Sequence, residues 1–304
     1  MISVLIICSD RFEEMIRGLA SLELLGDLLL DVRVLKNAPS VEWKQERFDA
    51  LPASVREKCI IFPSDRRIFP TEGRNRLAKG SDAYAFLLLD DDAYLLERDG
   101  IQKGIDILQR DKTAGSIAYA QRDEHGAVVE GFGQPAPINI KYDCLVCGFI
   151  SCGALVRGDV YRKLNGFQEI LQMAHEENEF CRRQWDLGYS VIYLQTPTVC
   201  HNPSEIARNM RQRAKLNTRN NWYMAVLHEP LWLLVVSLPW RIWKGRAYLK
   251  WVKHWTGGEW KSLYHEALRE FFRDFRELVR RRSPLKSSTL KQWQYLKKTY
   301  PRYP

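Results

Sequence analysis

The turn after the first apolar run of this chain holds no glycine. Residues 8–12 read Cys-Ser-Asp-Arg-Phe, which excludes a Gly-rich phosphate cradle at that position. Long apolar runs are also missing. Leu231–Leu238 is apolar but meets Pro239, well short of the roughly 20 residues a membrane span takes. Met1 leads straight into Ile2–Cys8 with no basic segment before it, so no secretory leader is expected. The seven cysteines are an odd number, scattered through apolar segments such as those holding Cys8, Cys59, Cys152 and Cys200. A reducing cytosol fits that usage. Cys144 and Cys147 form a C-x-x-C pair, but no second pair follows at zinc spacing. Small buried residues in a β-rich segment explain it better. No internal repeat or low-complexity tract is present.

Acidic residues run short in one part only. Residues 201–304 hold 22 Lys+Arg against 7 Asp+Glu, a net of +15, whereas residues 1–200 hold 24 against 30, a net of −6. Eight of the ten Trp also fall after residue 201. The composition shift near residue 225 therefore divides the chain into an α/β body, 1–225, and a basic, Trp-rich helical tail, 226–304.

Within the body, apolar runs alternate with helical periodicity. Strands are expected at Ser3–Cys8, Leu28–Leu35, Lys58–Phe62 and Ala83–Leu89. Helices are expected at Phe12–Leu25, Thr71–Lys79 and Ile101–Arg110. Such alternation implies a mostly parallel sheet covered on both faces, with ligands at the carboxyl ends of the strands. Further strand signals lie at Gly115–Ala120, Ala127–Phe132, Leu145–Val156 and Ser190–Leu194, and a helix at Glu176–Leu187.

The run Phe86-Leu87-Leu88-Leu89 delivers Asp90, Asp91 and Asp92 to one strand end. Three adjacent carboxylates repel one another, and a divalent cation held by their oxygens and bridging to phosphates resolves the conflict. Acidic residues also end strands as turn formers or helix N-caps.

The order of these pieces resembles a family 2 inverting glycosyltransferase of the GT-A fold, over roughly residues 2–225. Leu5-Ile6-Ile7-Cys8-Ser9-Asp10-Arg11 resembles the family's opening strand and turn. Gly73-Arg74-Asn75-Arg76 resembles its A-R-N segment, and Leu89-Asp90-Asp91-Asp92 its D-x-D motif. Cys147-Gly148 through Gly166-Phe167, then His175-Glu176-Glu177-Asn178-Glu179-Phe180, resembles the acceptor-side element. His201 stands where many members carry a metal-binding His.

The resemblance implies a nucleotide-diphospho-sugar transferase fold with a Rossmann-like, mostly parallel sheet, to which the helical tail is appended. It implies Mn²⁺ or Mg²⁺ on Asp92 and His201, with Asp90 on the metal, its water shell or the ribose. Asp91 supports the pair. Glu177 matches the general base and Glu176 the acceptor-orienting residue, while Glu179 matches a third acidic position. Donor contacts are expected from Cys8, Ser9, Arg11, Asn37, Arg74, Asn75, Asp90 and Asp91. Arg219, in Arg219-Asn220-Asn221, is expected to clamp the diphosphate. Two departures bear on nucleotide identity: Lys36 stands where Asp is common, and Cys8 where Thr is.

The chemistry agrees. A metal stabilises charge on a departing diphosphate, and neutral imidazole suits Mn²⁺ better than Mg²⁺. A strand-end His bonded to backbone is the plain alternative for His201. Glu176 and Glu177 also serve a helix N-terminus, where carboxylates are favoured.

In the tail, Trp240, Trp243, Tyr248, Trp251 and Trp255 recur near helical spacing, interleaved with Arg241, Lys244, Arg246, Lys250 and Lys253. A second helix is expected over Ser262–Arg282. Trp with Lys and Arg on amphipathic helices suits an anionic membrane interface; an appendage packed on the body is the alternative. The expected protein is a metal-dependent hexosyl- or deoxyhexosyltransferase, cytoplasmic and peripheral on the inner face of the cell membrane. Its partners would be a nucleotide-diphosphate sugar and a saccharide or lipid-linked saccharide acceptor of surface polysaccharide or lipopolysaccharide synthesis. A nucleotidyltransferase ranks below it for want of the glycines. A nucleic-acid-binding protein using the basic tail ranks lower too, because the acid clusters would repel phosphates, and no nucleic-acid partner is expected.

Overall fold

The computed structural model describes residues 1–129, 133–202 and 209–304, apart from the side chain of Trp255. Among these residues nine strands form one sheet: β1 Ile2–Cys8, β2 Leu29–Lys36, β3 Cys59–Pro63, β4 Ala85–Asp90, β5 Ala93–Leu95, β6 Ala114–Arg122, β7 Cys144–Leu145, β8 Gly153–Arg157 and β9 Ser190–His201. The helices of the body are α1 Phe12–Ser21, α2 Gln45–Asp49, α3 Ala53–Arg56, α4 Pro70–Ala78, α5 Asp99–Arg110, α6 Gly158–Lys163 and α7 Glu176–Asp186. Those that follow are α8 Met210–His228, α9 Leu231–Trp251, α10 Trp260–Arg280 and α11 Ser287–Thr299.

The sheet runs β3-β2-β1-β4-β8-β6-β9-β5, with β7 on β9. β1 to β4 pair in parallel, β8 lies antiparallel between β4 and β6, and β6 pairs with β9 in parallel. Parallel strands carry helices on both faces, and β4 answers by alternating between two cores. Ala85, Leu87 and Leu89 face one core; Phe86 and Leu88 face the other. Register sets Ile7 beside Asp90 and Cys8 beside Lys36. The carboxyl ends of β1, β2 and β4 thus share one edge, where the acid triplet emerges.

Several elements depart from the sequence expectation. The helix expected over Phe12–Leu25 stops at Ser21 and continues as a 3₁₀ turn, Leu22–Leu28, with Gly26 at φ 52°. The single strand signal over Leu145–Val156 resolves into β7 and β8. The strand expected at Ala127–Phe132 reduces to a bridge between Val128 and Arg122, and residues 130–132 lie outside the described ones. Pro239 does not interrupt α9. Its missing N–H leaves the carbonyl of Val235, a residue on the exposed side of the helix, within reach of water.

α11 carries no signal strong enough to read from sequence, yet it is docked. Trp293 and Leu296 are buried, and Thr289 Oγ1 donates to Asp186 Oδ1 at 2.7 Å. Beyond it, Leu145 N–H donates to Pro301 O at 2.9 Å, so the C-terminal end of the chain pairs with β7. α8 runs through the composition shift near residue 225. Its Trp222, Tyr223 and Val226 pack with Ala267, Phe271 and Leu278 of α10.

Candidate active site

β4 ends at Asp90, and the next two residues turn back into the cleft edge. The triplet is not left to repel itself. Arg11, in the turn after β1, donates to Asp91 Oδ1 at 2.8 Å and approaches Asp92 Oδ2 at 2.6 Å. Arg74 of α4 donates to Asp90 Oδ1 at 2.9 Å. Two guanidinium groups therefore compensate charge that sequence alone assigned to a metal, which corrects the idea that only a cation makes the triplet tolerable. Asp91 is almost fully buried. Burial pushes its carboxyl up to about 7, with Arg11 opposing and Asp92 reinforcing the rise. The Ser9 N–H also donates to Asp91 Oδ2 at 3.2 Å.

A metal-ligand set exists beside this pairing. Asp90, Asp92 and His201 offer ligand atoms that all lie within 4.8 Å of one another. Strand register brings them together: His201 of β9 pairs with Ala93 of β5, and Asn202 N–H donates to Asp92 O at 3.1 Å. Gln121 of β6 sets the imidazole. Its Nε2 donates to Gly133 O, so its Oε1 faces His201 Nδ1 at 2.5 Å as an acceptor. Nδ1 then carries the proton and Nε2 presents its lone pair, 3.3 Å from Asp92 Oδ1. A divalent cation between these two acceptors would be held by both. Two carboxylates and an imidazole suit Mn²⁺, Mg²⁺ or a similar ion. Among the described residues this is the only such group of three.

Across the cleft, α7 opens with Glu176 and Glu177. Ser151, just before β8, donates from its hydroxyl to Glu177 Oε1 at 2.5 Å and from its N–H to the same atom at 3.4 Å. Glu176 is buried, and its Oε2 lacks a hydrogen-bond partner. Burial drives its carboxyl up to about 8, Glu177 adds to the rise, and Arg74 opposes it. Arg74 is buried as well. Burial favours its neutral form, but Asp90, then Glu177 and Glu176, hold the guanidinium charged. This arginine thus ties the acid strand to the acceptor-side carboxylates. Gly73 lets α4 sit that close, because a Cβ there would meet Ile7 Cδ1 at 2.7 Å.

Other expected residues serve the frame. Cys8 is fully buried, its thiol pushed up to about 12 by burial and the Asp91 charge. Asn37 Nδ2 donates to Ile68 O at 3.0 Å and Ser9 Oγ at 3.1 Å, while its Oδ1 accepts from Ile68 N–H at 2.8 Å. Asn75 clamps the Gly166-Phe167 turn through Phe167 O at 2.9 Å and Phe167 N–H at 2.8 Å. Gly166, at φ 65°, is required there, since a Cβ would lie 2.2 Å from Asn75 Oδ1. Glu179 is held well below the ordinary carboxylate range, at about 2. Burial opposes the drop, but Arg183 and His228 outweigh it, bonding the carboxylate at 2.6 and 2.9 Å.

Arg219, expected on the diphosphate, is buried between helices instead. It bonds Glu270 at 2.6 Å and the carbonyls of Ile170 and Leu171 at 3.2 and 3.3 Å. Asn220 beside it donates to the carbonyls of Leu171, Met173 and Ala174 at 2.7, 2.8 and 2.8 Å. That loop leads into Glu176 with Gln172, Ala174 and His175 all at φ between 67 and 69°. Sequence reading missed Gln121 and Ser151, and it set Asn220 in the segment expected on the diphosphate rather than on this loop. All three act through partners distant in the chain.

Comparison of the sequence with protein-family models and with curated proteins gives no match. Comparison of the fold does. The chain is similar to residues 1–349 of S. aureus TarS in complex with UDP-GlcNAc, at TM-score 0.58 and 10% identity, over 92% of this chain and 90% of that one. It is similar to the mannosyltransferase PcManGT from Pyrobaculum calidifontis in complex with GDP-Man and Mn²⁺, at TM-score 0.53 and 13% identity, over 97% and 86%. Similarity to GalNAc-T7 with UDP, GalNAc and Mn²⁺ reaches TM-score 0.57 at 12% identity, over 74% and 50%. The fold is the mixed α/β GT-A fold with a helical C-terminal part, as the order of motifs implied.

Proposed function

We propose that this chain is a metal-dependent glycosyltransferase of the inverting type, moving a hexosyl or deoxyhexosyl group from a nucleotide diphosphate to a saccharide acceptor in surface polysaccharide or lipopolysaccharide assembly. One observation carries the reading: Asp90, Asp92 and His201 present their ligand atoms as a set, and Arg74 joins that set to Glu176 and Glu177.

Asp90, Asp92 and His201 would hold Mn²⁺ or Mg²⁺, whose positive charge would stabilise the departing diphosphate. Glu177 takes the proton from the attacking hydroxyl, held in place for this by Ser151. Glu176, kept protonated by burial, donates a hydrogen bond to the acceptor. Ser9, Arg11 and Asp91 form the donor side of the cleft. Residues 1–225 supply this chemistry. Residues 226–304 brace the acceptor side and seat the enzyme on an anionic membrane face, at the cytoplasmic side where nucleotide sugars are made.

Thermal shift with nucleotide diphosphates and nucleotide sugars tests the proposal. A donor should stabilise the wild-type chain only with Mn²⁺ or Mg²⁺, by several degrees at saturation. Asp92→Asn should abolish that shift. Glu177→Gln should keep it and lose transfer by at least about a hundredfold. A metal-independent shift, or normal transfer by Glu177→Gln, would remove the assigned roles.

A further inference from the structure

α8 and α9 cross closely at Gly245, where a Cβ would meet Thr218 and Trp222 at 2.8 Å. The crossing leaves a groove of about 710 Å³ between the two helices, lined by Trp240, Trp243, Tyr248 and Trp251 of α9 and by Asn217 and Asn221 of α8. A second groove of about 460 Å³ lies between α9 and α10, lined by Trp243, Arg246, Trp260 and Tyr264. Trp243 belongs to both. Both volumes fall within the range of small-ligand sites, roughly 300–1,000 Å³. Trp240 and Trp243 stack with centroids 4.9 Å apart, yet each stays more than half exposed. Single exposed aromatic residues are ordinary; a stacked pair rimming two grooves is not.

The grooves carry positive charge that no acid of their walls cancels. Lys244 Nζ lies 5.0 Å from the Trp240 ring centroid, and the Arg246 guanidinium and Lys261 Nζ each lie 5.8 Å from that of Trp260. All three cations are exposed, and no Asp or Glu lines either groove. Arg241 adds no free cation, because Glu229 and Asn221 already hold it. Asn221 accepts that bond through Oδ1, and its Nδ2 has no acceptor among the described residues. The apolar start of α9, with Leu231, Trp232, Val235 and Val236, lines neither groove. α8 ties the first groove to the acceptor side. Its Asn220 holds the loop that enters Glu176, and the groove residues Asn217 and Asn221 stand one turn before it and one residue after it.

We propose that the two grooves flanking Trp243 bind an anionic saccharide, the part of the acceptor that does not react. The inference rests on the transferase reading and names its acceptor class: a glycan whose sugars carry carboxylate or phosphate. One face of a pyranose ring is a patch of polarised C–H groups, which the negative face of an indole attracts. Hydroxyls at the ring edge meet side-chain amides such as that of Asn221. Negative groups on the sugars meet Lys244, Arg246 and Lys261, so the charges are complementary. An acyl chain has no use for amide and cation walls, and the apolar start of α9 suits it better.

Isothermal titration calorimetry of the full chain, with EDTA and without nucleotide, tests this with three probes: tetragalacturonic acid, maltotetraose and tetraglutamic acid. Tetragalacturonic acid should bind saturably. Maltotetraose, which lacks the carboxylates, should bind at least about threefold more weakly. Tetraglutamic acid, which lacks the sugars, should not bind. Trp243→Ala, which removes a wall from both grooves, should weaken tetragalacturonic acid at least about tenfold. Lys244→Gln and Arg246→Gln combined should bring its affinity down to that of maltotetraose. All three positions are exposed, so melting temperatures should not change. Trp232→Ala, exposed but outside both grooves, should bind as wild type. Absent binding of tetragalacturonic acid, equal binding of maltotetraose or tetraglutamic acid, unchanged affinity in both groove variants, or loss in Trp232→Ala would overturn the proposal. None of these outcomes touches the metal-dependent nucleotide shift, whose failure would instead sink the transferase reading and leave this saccharide site standing.

Discussion

Glu176 holds its carboxyl where an ionised group is poorly tolerated: buried, beside Glu177, with one oxygen unbonded. In the unfolded chain the same group ionises near its ordinary value of about 4.3. Between that value and about 8 the folded protein keeps a proton that the unfolded chain has released. Stability contributed by Glu176 is therefore complete below the unfolded value and is lost as pH rises through 8. Asp91, raised to about 7, acts in the same direction. Melting scans of the metal-free protein from pH 5 to pH 8.5 should show a fall on the order of 5 °C. Glu176→Gln, which cannot ionise, should flatten most of that slope. A variant that loses stability with pH as steeply as wild type would show that Glu176 is ionised in the fold.

At the scale of elements, the loop into α7 is the costly piece. Three non-glycine residues in the left-handed region, Gln172, Ala174 and His175, need outside support to persist. Thr71 N–H captures Gln172 O at 3.3 Å, and Asn220 captures three further carbonyls. Asn220→Ala would take this donor from the half-buried carbonyls of Met173 and Ala174 and one of several donors from the Leu171 carbonyl, at a cost of about 3 kcal/mol. Melting should fall by about 6 °C. The metal-dependent donor shift should survive, because Asn220 touches none of Asp90, Asp92 or His201, while transfer drops with the misplaced Glu177. Loss of donor binding and transfer together would contradict a role confined to the acceptor side. The alternating strands and the acid triplet were legible because periodicity and charge are local properties. The supports were not. Gln121 reaches His201 across 80 positions and Ser151 reaches Glu177 across 26. Asn75 and Arg219 looked like ligand contacts because an amide or guanidinium reads the same whether it meets a phosphate or a backbone carbonyl.

The whole molecule is divided in charge and in surface. No helix among the described residues is long and apolar enough to cross a membrane. Yet α9 begins with Leu231, Trp232, Val235 and Val236, each at least 67% exposed. Their spacing of one, four and five residues puts them on one helical face. Pro239 and Trp240 continue that side, and Phe272 and Val279 of α10 are also exposed. Contiguous apolar exposure of this kind marks an interaction surface, and the surplus of basic residues after position 201 points to an anionic one. A basic residue near anionic lipid contributes about 1 kcal/mol. Flotation with vesicles of phosphatidylcholine and phosphatidylglycerol should carry the wild-type chain at low salt and release part of it at 0.5 M salt. Replacing Trp232, Val235 and Val236 together by Ser should weaken binding at least about tenfold, since each buried apolar side chain is worth roughly 1.5–3 kcal/mol. Exposed positions make this variant safe for folding, which an unchanged melting temperature would verify. Wild-type protein that stays with the soluble fraction, or a triple variant that floats equally well, would leave the apolar face of α9 for another partner.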